Sequence, residues 1–172
     1  MIKLNLGSGD MHMEGFINVD KYDKTADVMA DITQLPYDNE SVDEIRAYQV
    51  FEHIAYNLSD ALFEEMKRVL CVGGKAIIEV PDIDWTARRI LDTGIDHITL
   101  IMMYGEYHRP WDKDRYEDWN RTANGIHINA WNFKRFKEYA DKYGFSIRRN
   151  STEEKHPHYK MEENLSVEFV KL

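Results

Sequence analysis

One cysteine, Cys71, stands in 172 residues, which excludes an internal disulfide and suits a reducing compartment. No apolar run approaches the roughly 18 residues a membrane helix needs, so no membrane partner is expected. Basic residues are in deficit: 22 Lys and Arg against 31 Asp and Glu, a formal net charge of −9. Phosphate backbones are held mainly by Lys and Arg, which argues against nucleic acid as substrate, and Arg148-Arg149 reads as a solvated strand end. Internal repeats and low-complexity tracts are absent. The strand-like run starts at Ile2, so the expectation is a cytoplasmic chain without a signal peptide.

What is present is a regular alternation. Ile2 to Leu6 reads as a strand, Phe16 to Val19 as a second ending at Asp20, Asp27 to Ala30 as a third and Val42 to Tyr48 as a fourth. In "NLSDALFEEMKRVLCVGGK", Leu58, Leu62, Met66 and Val69 share one face of a 3.6-residue period. Asn57 or Ser59 is the expected cap and Gly73-Gly74 the stop. Lys75 to Val80 is a buried-type strand halted by Pro81. A late helix spans about Trp131 to Tyr143, capped by Asn129 or Asn132 and stopped by Gly144. "FSIRR" and "LSVEFVKL" close the chain as two strands. The pattern predicts one α/β domain over residues 1–172: a Rossmann-like, mostly parallel sheet with helices on its faces and an antiparallel C-terminal hairpin. Residues 93–125 show no clean period and read as an irregular lid or substrate-side insertion, with Tyr104, Tyr107, Trp111, Tyr116 and Trp119 as aromatic lining.

Gly7-Ser8-Gly9 follows the first strand directly. Glycines there let main chain approach a ligand at the carboxyl end of an open sheet, and an acid ending the next strand can bind ribose hydroxyls. A dinucleotide site wants a third glycine three residues on and an acid about 20 residues further. Here that position holds His12 and Asp20 comes too soon, which disfavours NAD. Only nine residues, Gly7 to Gly15, link the first two strands, too few for a helical crossover. The shortened crossover removes a helix from one face of the sheet. Exposed apolar surface there would need cover, from the 93–125 segment or from a second subunit in a homodimer.

"LNLGSGDMHMEGFINVD", "ADITQLPYDNESVDEIRAYQVFEHI" and "MKRVLCVGGKAIIEVPD" resemble successive signatures of class I S-adenosylmethionine-dependent methyltransferases, most of all a small bacterial and phage-type branch. The likeness covers about residues 2 to 85, and Cys71-Val72 departs from it where Lys-Pro is usual. It implies S-adenosyl-L-methionine as cofactor. Gly7, Ser8 and Gly9 would line its methionine and ribose portion, Asp20 would take the ribose hydroxyls, Asp31 and Ile32 the adenine, and Gln49 would lie near the methyl.

A sulfonium already activates its methyl, so the protein must chiefly hold a nucleophile in line and, for a hydroxyl, help remove its proton. His53, in the Glu52-His53 pair, and His127 are the candidate bases; each also reads as a hydrogen-bonded structural residue. No metal site is expected, His156-Pro157-His158 lacking a companion carboxylate or cysteine set. The expected activity is methyl transfer to an oxygen or nitrogen of a small molecule or glycan. The rival is a non-catalytic domain that binds S-adenosylmethionine within a larger assembly.

Overall fold

The structure, a computed structural model, describes residues 1–105, 126–151 and 162–172. Tyr107, Trp111, Tyr116, Trp119, the His156-Pro157-His158 loop and most of the expected lid lie outside the described residues. Seven strands form one sheet: β1 (Lys3–Leu6), β2 (Ile17–Asp20), β3 (Val28–Met29), β4 (Val42–Tyr48), β5 (Leu70–Pro81), β6 (Phe145–Arg149) and β7 (Asn164–Lys171). Their order is β3-β2-β1-β4-β5-β7-β6. β1, β2, β3, β4 and β5 pair in parallel, and β7 runs antiparallel between β5 and β6. The mostly parallel sheet and closing antiparallel pair match the expectation.

Among the described residues, four α-helices accompany it: α1 (Ser59–Val69), α2 (Ile83–Thr93), α3 (His97–Tyr104) and α4 (Phe133–Tyr143). α1 buries Leu62, Phe63, Met66 and Val69, and α4 buries Phe136, Ala140 and Tyr143, as one apolar stripe per helix requires. Both pack on the same face of the sheet. Phe63 and Phe136 meet Phe169 of β7 edge-on at 5.5 and 5.7 Å, joining a core with Leu4, Leu6, Ile45, Ala47, Ala76 and Ile78.

α4 starts as expected, with Asn132 Oδ1 accepting from Arg135 N at 2.8 Å, and ends at Gly144 with φ 74°, a left-handed cap suited to glycine. The start of α1 differs. Leu58 occupies the cap position without a side-chain bond, and Ser59 is buried, its Oγ accepting from Arg135 Nη2 at 3.1 Å and Asn129 Nδ2 at 3.3 Å. Ser59 ties two helices together instead of capping one. α1 also ends at Val69, with Leu70 already in β5, so Gly73-Gly74 lies inside the strand's span. Within the supposedly irregular stretch, α3 begins in a reciprocal cap: Thr99 N donates to Asp96 Oδ1 at 2.8 Å and Asp96 N to Thr99 Oγ1 at 2.9 Å.

The first crossover has no helix, as its length dictates, but the face it leaves bare is polar. Register and alternation put Lys3 and Asn5 of β1, Asn18 of β2, Glu44, Arg46 and Tyr48 of β4, and Lys75 of β5 on it. Glu44 is buried among three cations, Arg46 Nη2 at 2.6 Å, Lys3 Nζ at 3.5 Å and Lys75 Nζ at 3.8 Å. Arg46 also donates to Tyr48 Oη at 2.8 Å and, with Lys3, lies over the ring of Phe16. Asn5 Nδ2 donates to Asn18 Oδ1 and to the Met11 carbonyl, both at 3.0 Å, fastening the short loop to the sheet. Among the described residues this face is therefore not the apolar surface expected: polar side chains that pair with one another stand where a helix would lie. No helix among the described residues is long and apolar enough to cross a membrane.

Candidate active site

β1 sits where strand order reverses, between β2 and β4, the place at which open α/β sheets bind ligands beyond their carboxyl ends. The chain leaving β1 bends sharply there. Gly7 N donates to Val19 O at 2.8 Å, and Gly7 has φ 64°. A Cβ on Gly7 would stand 2.5 Å from Val50 Cγ2, so only glycine fits this approach. Gly9 N donates to Asp20 Oδ2 at 3.0 Å, while Asp20 Oδ1 accepts from Tyr22 N at 2.7 Å and Asp23 N at 2.9 Å. Oδ1 thus has both acceptor positions filled, and Oδ2 retains one.

Two more of the expected residues carry unanswered polar atoms at this edge. Ser8 Oγ and Gln49 Nε2 are buried without a hydrogen-bond partner. Gln49 directly follows β4 in a left-handed conformation, φ 57°, held by its N–H on the Glu79 carbonyl at 2.8 Å. A non-glycine residue rarely adopts that φ, and buried polar groups are rarely left unpaired. Gly7, Ser8, Gly9, Asp20 and Gln49 are thus brought to one edge, and a ligand rich in hydroxyls and carbonyl oxygens would answer the two orphaned atoms.

Asp31 and Ile32 follow β3. Asp31 Oδ2 accepts from Lys21 Nζ at 2.8 Å and Oδ1 from the Thr33 N–H and hydroxyl at 2.9 and 2.7 Å. Partial burial would raise its pKa, but these bonds outweigh it and bring the carboxyl down to about 2. Ile32 is buried in the core, so its contribution to a ligand is its backbone or its apolar surface. Two hollows among the described residues lie elsewhere, one lined by Trp85, Arg89 and Asp92 and one by Tyr56, Asp60, Arg135 and Lys142.

His53 and His127, distant in sequence, lie together with ring centroids 5.1 Å apart. A turn of 3-10 helix, Phe51–His53, is stitched to the segment before α4. Ile128 N and Asn129 N donate to the Glu52 carbonyl at 2.9 and 3.0 Å, and Trp131 Nε1 to the Phe51 carbonyl at 3.1 Å. His53 Nδ1 is 3.0 Å from the Ile126 carbonyl and His127 Nδ1 is 3.1 Å from the Met102 carbonyl. A carbonyl has no proton to give, so both Nδ1 atoms carry the hydrogen and both Nε2 atoms present lone pairs. Burial lowers both histidine pKa values, that of His53 to about 4 with His127 adding to the effect, so each ring is neutral near pH 7. Glu52, only 2% exposed, is the residue that spacing alone did not single out. Neither of its carboxyl oxygens has a hydrogen-bond partner, and burial pushes its pKa up to about 8, with Glu79 adding to the rise. The adjacent Glu-His pair was the only sequence signal for it.

Comparison with known proteins follows the same lines. The methyltransferase domain family matches residues 12–78, from the first crossover into β5. Comparison with the curated proteins finds no match. Among solved structures, the chain resembles a SAM-dependent methyltransferase from Archaeoglobus fulgidus at 12% identity and TM-score 0.62, over 98% of this chain and 85% of that one. A SAM-dependent methyltransferase from Thermotoga maritima is similar at 13% identity and TM-score 0.57, over 99% and 82%. So is phosphoethanolamine N-methyltransferase 2 of Haemonchus contortus, solved with S-adenosyl-L-methionine, at 15% identity and TM-score 0.53, over 99% of this chain and 48% of that one. The fold is thus of the class I S-adenosylmethionine-dependent methyltransferase type.

Proposed function

We propose that this chain is a methyltransferase that uses S-adenosyl-L-methionine to methylate an oxygen or nitrogen of a small molecule or glycan. The observation that carries the reading is the pair of orphaned buried atoms, Ser8 Oγ and Gln49 Nε2, beside a glycine bend at the switch point of the sheet. When bound, the cofactor supplies an electrophilic methyl on sulfur. In this reading Gly7, Ser8 and Gly9 hold its methionine and ribose, Asp20 receives ribose hydroxyls through the free position on Oδ2, and Asp31 with the backbone of Ile32 meets the adenine. Gln49 faces the end of the ligand where the methyl is carried. In the metal-free chain, His53 and His127, each with a neutral Nε2, are the candidate bases for the acceptor's proton. The likeness to a small bacterial and phage-type branch rests on the residue pattern alone, and a cytoplasmic location fits the single cysteine.

Calorimetry with S-adenosylmethionine, its demethylated product and NAD tests this. Both sulfur ligands should bind and NAD should not; binding of NAD with neither sulfur ligand overturns the assignment. Asp20→Ala should weaken the sulfur ligands by about 1 to 3 kcal/mol, the range for stripping a partner from buried polar groups, and unchanged affinity removes Asp20 from the site. A labelled-methyl screen over glycans and metabolites separates an enzyme, which turns over an acceptor, from a domain that only binds the cofactor.

A further inference from the structure

Three residues outside the cofactor edge form a second constellation. Glu52, His53 and His127 each offer one donor atom, and the three atoms lie within 4.8 Å of one another. His127 Nε2 stands 4.0 Å from Glu52 Oε1, too far for a hydrogen bond and close enough for a shared ion. We propose that Glu52, His53 and His127 bind a divalent first-row metal ion, zinc being the one whose preferred set this matches.

Several independent observations converge. Two imidazole nitrogens and one carboxylate, with a coordination position left over, are the donor set of an open zinc site. Each histidine has its Nδ1–H tied to a backbone carbonyl, Ile126 for one and Met102 for the other. That bond fixes the tautomer and leaves Nε2 as the nitrogen free to ligate. The carboxyl of Glu52 is buried with both oxygens unpartnered, a costly state that an ion would relieve. The backbone is already fixed: the Glu52 carbonyl receives two N–H groups, of Ile128 and Asn129, from the segment carrying His127, so the two halves of the site are bolted together. Tetrahedral zinc with ligands at about 2.0 Å needs donors about 3.3 Å apart, which small side-chain rotations from the present spacing supply. Surface carboxylate clusters lack this combination of imidazoles oriented by backbone carbonyls and a buried carboxylate without a hydrogen-bond partner.

Glu52 of the cluster follows Gln49 by three residues in the chain, and a bound ion would take the Nε2 lone pairs that the metal-free chain offers as bases, so the two roles are alternatives. Ion binding does not depend on the methyl-transfer reading, because it is measured on the chain without cofactor or acceptor.

The test is calorimetric titration of the full, chelator-stripped chain with Zn²⁺, and visible absorption with Co²⁺. The wild type should bind one ion per chain and give the d–d bands of a low-coordinate Co²⁺ site. Glu52→Gln, His53→Gln and His127→Gln should each weaken binding at least tenfold and remove those bands. His156→Gln/His158→Gln, which alters the other histidine pair of the sequence, should leave both signals unchanged. Failure of the wild type to bind, equal binding by His53→Gln, or loss of binding in the 156/158 variant overturns the proposal. His53 is partly exposed, so its variant tests the site even if Glu52→Gln does not fold.

Discussion

Glu44 and Glu52 are both buried glutamates supplied by β4 and the turn after it, and they live in opposite circumstances. Glu44, on the bare face of the sheet, has three cations within reach. Burial would raise its pKa, yet Arg46, Lys75 and Lys3 hold the carboxyl below its ordinary range. Glu52, at the carboxyl edge, has no hydrogen-bond partner on either oxygen and is pushed up to about 8. Where the sheet needed a substitute for a missing helix, polar groups answer one another. At the carboxyl edge they are left open, as the proposed ligand and ion would require. Folded proteins seldom leave buried polar atoms unpaired, so the difference separates structural polarity from functional polarity within one sheet.

That contrast predicts which substitutions cost stability and which cost binding. The largest stability effect belongs to Glu44→Gln, which strips charge-assisted bonds from Arg46 and its neighbours and should cost about 2 kcal/mol at pH 7. Because the folded pKa of Glu44 is depressed, its contribution is present above the unfolded value of about 4.5 and is lost as pH falls through the lower folded value. The gap between wild type and Glu44→Gln in urea denaturation should therefore close as pH drops below about 4.5. A gap that persists at low pH would show that packing, not charge, holds this face together.

Glu52→Gln is the counterpart. The carboxyl is held protonated near neutrality, so an amide replaces one neutral group with another of the same shape. Metal-free stability at pH 7 should change by less than about 1 kcal/mol, while ion binding falls. A loss as large as that of Glu44→Gln would mean Glu52 is structural and would erase the distinction. Ser8→Ala, the smallest change, removes an orphaned hydroxyl and should shift stability by no more than about 0.5 kcal/mol in either direction, yet weaken S-adenosylmethionine in calorimetry. Unaltered affinity would remove Ser8 from the site.

The periodic parts of this architecture were plain in the residues. Val42–Tyr48, Phe145–Arg149 and the Asn132-to-Gly144 helix carry strong alternation, caps and stops, and they fold where the pattern puts them. The nine residues from Gly7 to Gly15 are too few for a helical crossover. The character of the face this leaves is harder to read, because Leu4 and Leu6 announce an apolar strand while Lys3 and Asn5, interleaved with them, set the other face. That reading needs strand register, which places Lys3 beside Glu44 and Asn5 beside Arg46. α2 buries only Thr86 fully, and its Leu91 stands exposed, so little of it joins the core. α3 is short and was hidden in a segment without period. At the edge, Gly7, Ser8, Asp20 and Gln49 could be singled out from the resemblance, but the meeting of Glu52, His53 and His127 could not, for it depends on backbone bonds between segments far apart in the chain.

The measurement that bears most directly on the paired-versus-open distinction is a crystal structure of the chain with the demethylated cofactor product. The ligand should lie across the carboxyl ends of β2, β1 and β4, with a ribose hydroxyl on Asp20 Oδ2 and partners newly made by Ser8 Oγ and Gln49 Nε2. A ligand seated elsewhere, with those two atoms still unpartnered, would contradict it.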